Sequence, residues 1–540
     1  MRYSSSSRGA DGLSLQADVL VLGGGPAGAW AALAAARNGA KVILADKGRM
    51  GTSGATAPSN AGTWCVPPDE NRLQTVERRW HRTKGLAVKQ WMLRCVDTAY
   101  ENLLRLSEWG YPFPHDDKGR LYVANLRGPD YMRFLRGKVL QAGVTILDHH
   151  PALELLSDGR AIAGAAGYDR QRHRDWTVAA RAVVVATGGC AFFERILGGT
   201  GLTGDGCLMA LEAGVSLSGM EFTGKYTIAP HGTSLNKGLP YRWASFFRED
   251  GSPIVDATGE PLVNAIGERE TEVAKALLGG PVYARLDQAD ADAQMWLRRG
   301  QPNCFVPHDR RGIDPFSQMF RITMRAEGTV RGTGGIKIAT EDCGTSVPGL
   351  YVAGDVASRE NVTGAISGGG GVNASWAIAS GWWSGQGAAT FAREFRRGAF
   401  QSHLKPLGGA GLRPAVAASH HVAVDDIADT VRRHMLPIDR GYFRDGRQLH
   451  RSLAELEGAW SDVRNHLRAE GAERVHAREV SASLMAARCS VVAALRRHES
   501  RGIHRRLDAP FESPDLARPI ELTGADARVV GLPTQSQLAS

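Results

Sequence analysis

Six residues, Gly23-Gly24-Gly25-Pro26-Ala27-Gly28, constrain this chain more than any others. They follow residues 17–22 (A-D-V-L-V-L), a short apolar run of the kind that forms a strand covered on both faces of a parallel sheet. They precede an Ala-rich, helix-forming stretch, residues 29–38, which closes at Gly39 and leads into a second apolar run ending at Asp46. Together these make a βαβ unit. A G-x-G-x-x-G cluster alone can be an ordinary turn, but here the flanking elements and the acid complete the mechanical needs of dinucleotide binding. Gly23 makes the turn, Gly25 lets backbone N–H groups approach a pyrophosphate, Gly28 lets helix pack on strand, and Asp46 accepts from the adenosine ribose hydroxyls.

A distant element selects FAD over NAD. Residues 345–355 (T-S-V-P-G-L-Y-V-A-G-D) read as a turn, a buried strand, then Gly354-Asp355 at the strand's carboxyl end, where ligands sit in open α/β sheets. A carboxylate there suits the ribityl hydroxyls of a flavin lying across the sheet from the first glycine turn. Residues 367–371 (S-G-G-G-G) then form a loop that opens a helix at Asn373. Its glycines let backbone press on a flat ring, and the helix N-terminus puts positive partial charge near the ring end that becomes anionic on reduction.

Composition narrows the remaining classes. Hydrophobic residues at 43% and charged residues at 22% exclude disorder, and no apolar run reaches the roughly 18 residues of a spanning helix. The polar N-terminus lacks a secretory apolar region, so a cytoplasmic protein is expected. Net charge is 65 − 56 = +9, but the arginines are scattered, which disfavours nucleic-acid binding and leaves an acidic small molecule compatible. Seven cysteines without C-x-x-C spacing disfavour disulfides, zinc and an in-chain iron–sulfur cluster. The pairs His149-His150 and His420-His421 are adjacent in sequence and so rarely share a face, which argues against a metal site.

The expected architecture is an α/β, Rossmann-like FAD-binding domain with an inserted α+β capping domain and a helical C-terminal domain. The boundaries read as a flexible leader 1–16, FAD-binding segments 17–224 and 334–406, a cap 225–333 where apolar periodicity weakens, a helical domain 407–511, and a tail 512–540.

Further motifs make the chain resemble the flavoprotein subunits of fumarate reductase and succinate dehydrogenase, with L-aspartate oxidase and the alpha subunit of adenylylsulfate reductase. They are S-G-A-T-A at Ser53, Gly54, Ala55, Thr56 and Ala57, E-W-G-Y-P-F at 108–113, A-T-G-G at 186–189 with Thr187 and Gly188, T-G-D-G at 203–206, M-E-F at 220–222 and H-E-S-R-G-I-H at 498–504. The resemblance implies that Ser53 to Ala57 line the flavin, that Asp205 and Asp355 contact it, and that Asn373 and Ala374 meet its pyrimidine end. Gly54 stands where some members carry a flavin-linking histidine, so noncovalent FAD is implied. The resemblance also raises a ferredoxin-type iron–sulfur subunit as a partner.

The departures bear on the chemistry. The fumarate-type loop H-G-A-N-R reads Thr363-Gly364-Ala365-Ile366-Ser367 here, the family histidine falls near Val330, and R-G-E-G-G falls near residues 240–244. A carbanion-like substrate needs those cations, so fumarate or succinate chemistry is not expected. What remains is two-electron transfer at flavin N5 on a small polar anion, the alternative being an electron-transfer subunit. By position, the candidate catalytic residues are Asn60 beyond the flavin-lining segment, His231 and Arg242 in the cap, and Ser367. Trp64, Arg248, Arg331, Lys337 and Thr363 lie nearby in sequence. Glu499 and Arg501 are expected to form a structural polar cluster.

Overall fold

The computed structural model describes residues 12–115, 119, 121–395, 403–415, 422–525 and 527–530; the His420-His421 pair lies outside them. The first strand, β1 (Leu13–Leu22), is followed by helix α1 (Pro26–Arg37) and then β2 (Val42–Ala45). Next come β3 (Thr145–Leu147), β4 (Ala152–Ser157), β5 (Ile162–Asp169), the long β6 (Arg174–Val185) and helix α2 (Asp205–Glu212). β1 pairs in parallel with β2 on one side and with β6 on the other. β1 starts earlier than expected: residues 13–16, read as leader, pair with Trp176 to Ala179 of β6. Their alternation of partly buried leucines with exposed Ser14 and Gln16 is a half-solvated strand end, which hides beside the continuous apolar run that follows.

A separate antiparallel sheet holds β7 (Tyr226–Pro230), β8 (Ser245–Arg248), β9 (Val282–Arg285) and β10 (Phe320–Ala326), in the order β7-β10-β9-β8. It has its own core, in which Tyr226, Ile228, Phe246, Val282, Ile322 and Met324 are buried. This sheet occupies the segment expected for the cap.

The chain then re-enters the first sheet through β11 (Leu350–Val352), parallel to β6, and later β12 (Lys405–Pro406), antiparallel to β4. Between them runs α3 (Gly369–Glu394). It packs on α1 at backbone distance: a Cβ on Gly381 would lie 2.4 Å from the Ala27 carbonyl oxygen, and one on Gly385 would lie 2.2 Å from that of Ala31. α3 begins at Gly369, so three of the glycines expected in a loop form its first turn. Helix ends tolerate them because first-turn N–H groups have no intrahelical partner to lose, and the Gly371 carbonyl accepts from Trp64 N–H at 3.0 Å.

Three helices, α4 (Val424–Met435), α5 (Gly446–Asn465) and α6 (Glu473–Arg496), form the C-terminal domain. α6 is buried along most of its length and docks on α2, where Arg478 donates twice to Glu212, at 2.9 and 2.6 Å. Beyond it the expected polar cluster is present: Glu499 accepts from Arg497 at 2.8 Å and from Arg501 at 2.7 and 2.9 Å. Arg497 also donates to Glu221 at 2.7 Å, tying the C-terminal segment to the FAD-binding domain. Glu521–Thr523, inside the expected tail, pairs with Leu217–Ser218 and so belongs to the fold. Among the described residues no helix is long and apolar enough to cross a membrane, and six of the seven free cysteines are buried.

Arg497, Glu221 and Glu499 are fully buried, so Arg497→Met would leave Glu221 without its cation. A cost of about 3–5 kcal/mol is expected, read as a clear drop in the thermal melting temperature, whereas an unchanged melt would show that the cluster does not hold the domains.

Candidate functional site

The strand ends coincide. Leu22 is opposite Ala45 of β2 and Val185 of β6, and Val352 of β11 is opposite Val185. The four segments that follow, beginning at Gly23, Asp46, Ala186 and Ala353, therefore emerge at one edge of the sheet and border a cavity of about 670 Å³. Gly23 has φ +106°, and a Cβ on Gly28 would lie 1.8 Å from the Gly23 carbonyl oxygen, so strand, turn and helix close only with glycine at both places. A Cβ on Gly25 would meet nothing within 4 Å, because this residue faces the cavity. The buried Asp46 carboxylate accepts from Gly24 N–H at 2.6 Å, Gly48 N–H at 2.8 Å and the Ser53 hydroxyl at 2.9 Å.

Beside Asp46, the Lys47 ammonium donates to Asp205 at 2.7 Å and Thr203 at 2.8 Å, and lies 3.2 Å from Glu479. Burial alone would lower its pKa, but the two carboxylates more than reverse this and it is raised. Asp355 lines the cavity while ion-paired to Arg359, whose fully buried guanidinium also donates to the Thr329 and Val330 carbonyls at 2.8 and 3.2 Å. Burial pushes the Asp355 carboxyl up against the opposing pull of Arg359 and Arg331.

A different cation lines the cavity on the cap side. Lys237, on the β7–β8 connection, donates to the Ser59 hydroxyl at 2.7 Å, and Ser59 donates to the Ala55 carbonyl at 2.7 Å. Burial and then the nearby Arg331 bring the Lys237 ammonium down to about 8, with Glu327 opposing. Arg331 lines the cavity too, 3.3 Å from the buried Glu327, which also accepts from Asn236 at 2.6 Å.

The cavity gathers Gly23, Gly25, Asp46, Ser53, Gly54, Ala55, Thr56, Thr187, Gly188, Asp205, Gly354, Asp355, Asn373 and Ala374. Gly28 and Ala57 do not line it: Gly28 serves the helix–strand contact, and Ala57 is buried among apolar residues. Of the four candidate catalytic residues, Arg242, His231 and Ser367 are not brought to it. Arg242 is exposed on a short 3-10 turn, with its guanidinium 5.7 Å from the Trp243 ring centroid. His231 is exposed beyond the end of β7, and lost hydration followed by Arg321, Arg325 and Arg311 hold its imidazole below the usual value. The Ser367 hydroxyl accepts from Gly369 N–H at 3.1 Å and closes its own turn. Asn60, the fourth, pairs through its backbone with Arg127 in a two-stranded ribbon. Lys237 and Glu479 escaped sequence reading; Lys237 carries no motif, and only its place beside N-K-G in the cap could have singled it out.

Residues 18–297 match a family model described as an FAD binding domain, and residues 433–516 match one described as fumarate reductase flavoprotein C-term. The chain belongs to the family of FAD-binding oxidoreductases. This flavoprotein is 28% identical to an L-aspartate oxidase of Mycobacterium tuberculosis over 94% of its length and 96% of the relative's. It is 25% identical to a fumarate reductase flavoprotein subunit of the same species, over 92% and 93%. The fold is shared with E. coli quinol fumarate reductase (TM-score 0.78, 22% identity, 96% of both chains). It is also shared with adenylylsulfate reductase from Archaeoglobus fulgidus (TM-score 0.76, 18% identity, 96% of both chains).

FAD is the cofactor of this family, and the cavity fits it. The Thr187 hydroxyl and the Asn373 amide oxygen are buried without hydrogen-bond partners at the cavity wall. Each such group costs about 1–3 kcal/mol until a ligand satisfies it. Gly54 offers no side chain for a covalent link.

Lys237→Met would remove an ammonium that burial disfavours. The flavin-free variant is expected to melt above the parent at pH 7, with the gain shrinking as pH rises from about 8 to the unfolded lysine value of about 10.4. Over that window the unfolded chain holds a proton that the folded chain has released, so parent stability rises with pH.

Proposed function

We propose that this flavoprotein binds FAD along the cavity and transfers two electrons between flavin N5 and a small polar anion held by Lys237 and Arg331. The glycine turn and the N-terminus of α1 receive the pyrophosphate, and Asp46 receives the ribose hydroxyls. Thr187, Asp355 and Asn373 supply polar contacts along the flavin. When bound, FAD supplies the two-electron acceptor at N5.

The observation that carries this reading is Lys237. Its ammonium points into the cavity wall against a hydroxyl, not a carboxylate, while Lys47 and Arg331 each have a carboxylate within 3.3 Å. A cation left without a carboxylate counter-ion among the described residues, in a half-buried wall, attracts a substrate carboxylate or sulfonate. The dicarboxylate mechanism is not proposed, since its histidine falls near Val330, its arginine falls at Ser367, and Ser367 lies outside the cavity. Electron relay to a ferredoxin-type partner is the second reading, favoured by the relative that is described as a subunit.

Malonate or sulfate added to the yellow holoprotein should perturb the visible flavin spectrum. The apparent affinity should hold below pH 8 and fall above it as Lys237 loses its proton. Lys237→Met should weaken the anion by about tenfold or more; equal affinity in the variant would refute the anion site. Succinate or fumarate with a dye should give no turnover, whereas anaerobic bleaching by one of a panel of anionic metabolites would name the substrate. Turnover with a dye but not with oxygen would favour the relay.

A further inference from the structure

At the end of the cavity where β2 stops, the C-terminal domain reaches the cofactor wall. Glu479 of α6 lies 3.2 Å from the Lys47 ammonium and accepts from Arg170, at the end of β5, at 3.1 Å. His476, one turn earlier on the same helix, lies 3.7 Å from its other carboxylate oxygen. Lys47, Arg170, Asp205 and Glu479 all line the cavity.

Two features define what this group of four can receive. First, it is balanced, two cations against two carboxylates, whereas a phosphate site carries excess positive charge. Such a set offers donors and acceptors to a neutral polar ligand. Second, it adjoins Asp46, whose place at the end of β2 marks the ribose of the nucleotide. The neutral ligand in that position is a nucleoside.

The carboxylate is also held in place. The preceding residue on α6, Arg478, grips Glu212 of α2 through two hydrogen bonds, at 2.9 and 2.6 Å. One turn further on, the Ser483 hydroxyl donates to the Thr203 carbonyl at 2.9 Å. These contacts hold the backbone of α6 at the wall, and Lys47 and Arg170 hold the Glu479 carboxylate there.

We propose that Glu479 is a positioning residue for the adenosine half of FAD, so that the helical C-terminal domain takes part in selecting FAD over FMN. Acting through Lys47 and Arg170, it fixes the wall against which adenosine packs. The inference rests on FAD as cofactor and is independent of the substrate.

The test compares flavin affinities of protein freed of FAD, by quenching of flavin fluorescence, with ADP as a competitor for the adenosine half. Glu479→Gln should weaken FAD and ADP by about tenfold and leave FMN unchanged. Arg170→Gln, at an exposed position where folding is not at stake, should weaken the same two ligands by about threefold. Unchanged FAD affinity in both variants would overturn the proposal, as would an equal loss of FAD and FMN, which marks a merely structural role. If FMN binds neither protein, the ADP competition decides: unchanged ADP affinity overturns it.

Discussion

Leu22 faces Ala45 on one side and Val185 on the other, and Val185 faces Val352 across the next ladder. Backbone hydrogen bonding between parallel strands sets this register, and side chains on both faces of the sheet are buried by it. Because all four strands stop at the same level, their following residues share one edge. A shift of one residue in any ladder would turn its side chains to the opposite face and carry its loop away from the other three. The cavity is thus a property of strand pairing first and of its lining residues second.

Electrostatics then differentiates the lining. Near Asp46 each cation meets a carboxylate, and the wall is close to neutral. On the cap side Lys237 meets only a hydroxyl among its described hydrogen bonds, and Arg331 shares a single buried glutamate with Asn236. Deeper still, Arg359 is fully buried under Asp355 and backbone carbonyls, so that carboxylate is held in one orientation before any ligand arrives. Preorganisation of this kind costs the fold some stability, as the unpartnered Thr187 hydroxyl and Asn373 oxygen also show.

Much of this is legible in the residues, and the reason is locality. The turn at Gly23 to Gly28, Asp46 and Gly354-Asp355 each announce themselves within a short stretch, because strand, turn and ligand-facing group are consecutive. Residues 13–16 read as leader because an alternating, half-exposed strand end looks polar next to a fully buried run. Arg242 and His231 stand out by type and region, yet type does not say which way a loop residue faces, and both face water. Lys237 and Glu479 are invisible for a different reason: Ser59 is 178 residues from Lys237, and Lys47 is on another domain from Glu479. Their surroundings are created only when separate domains dock.

Gly381 and Gly385 leave no side chain between α3 and the carbonyls of Ala27 and Ala31. The helix that begins beneath the glycine turn, by its first half, and the helix whose first residues border the flavin region, by its middle, thereby meet at backbone distance. Two walls of the cavity thus meet backbone to backbone, while the wall that carries Lys237 reaches Ser59 through a single hydrogen bond.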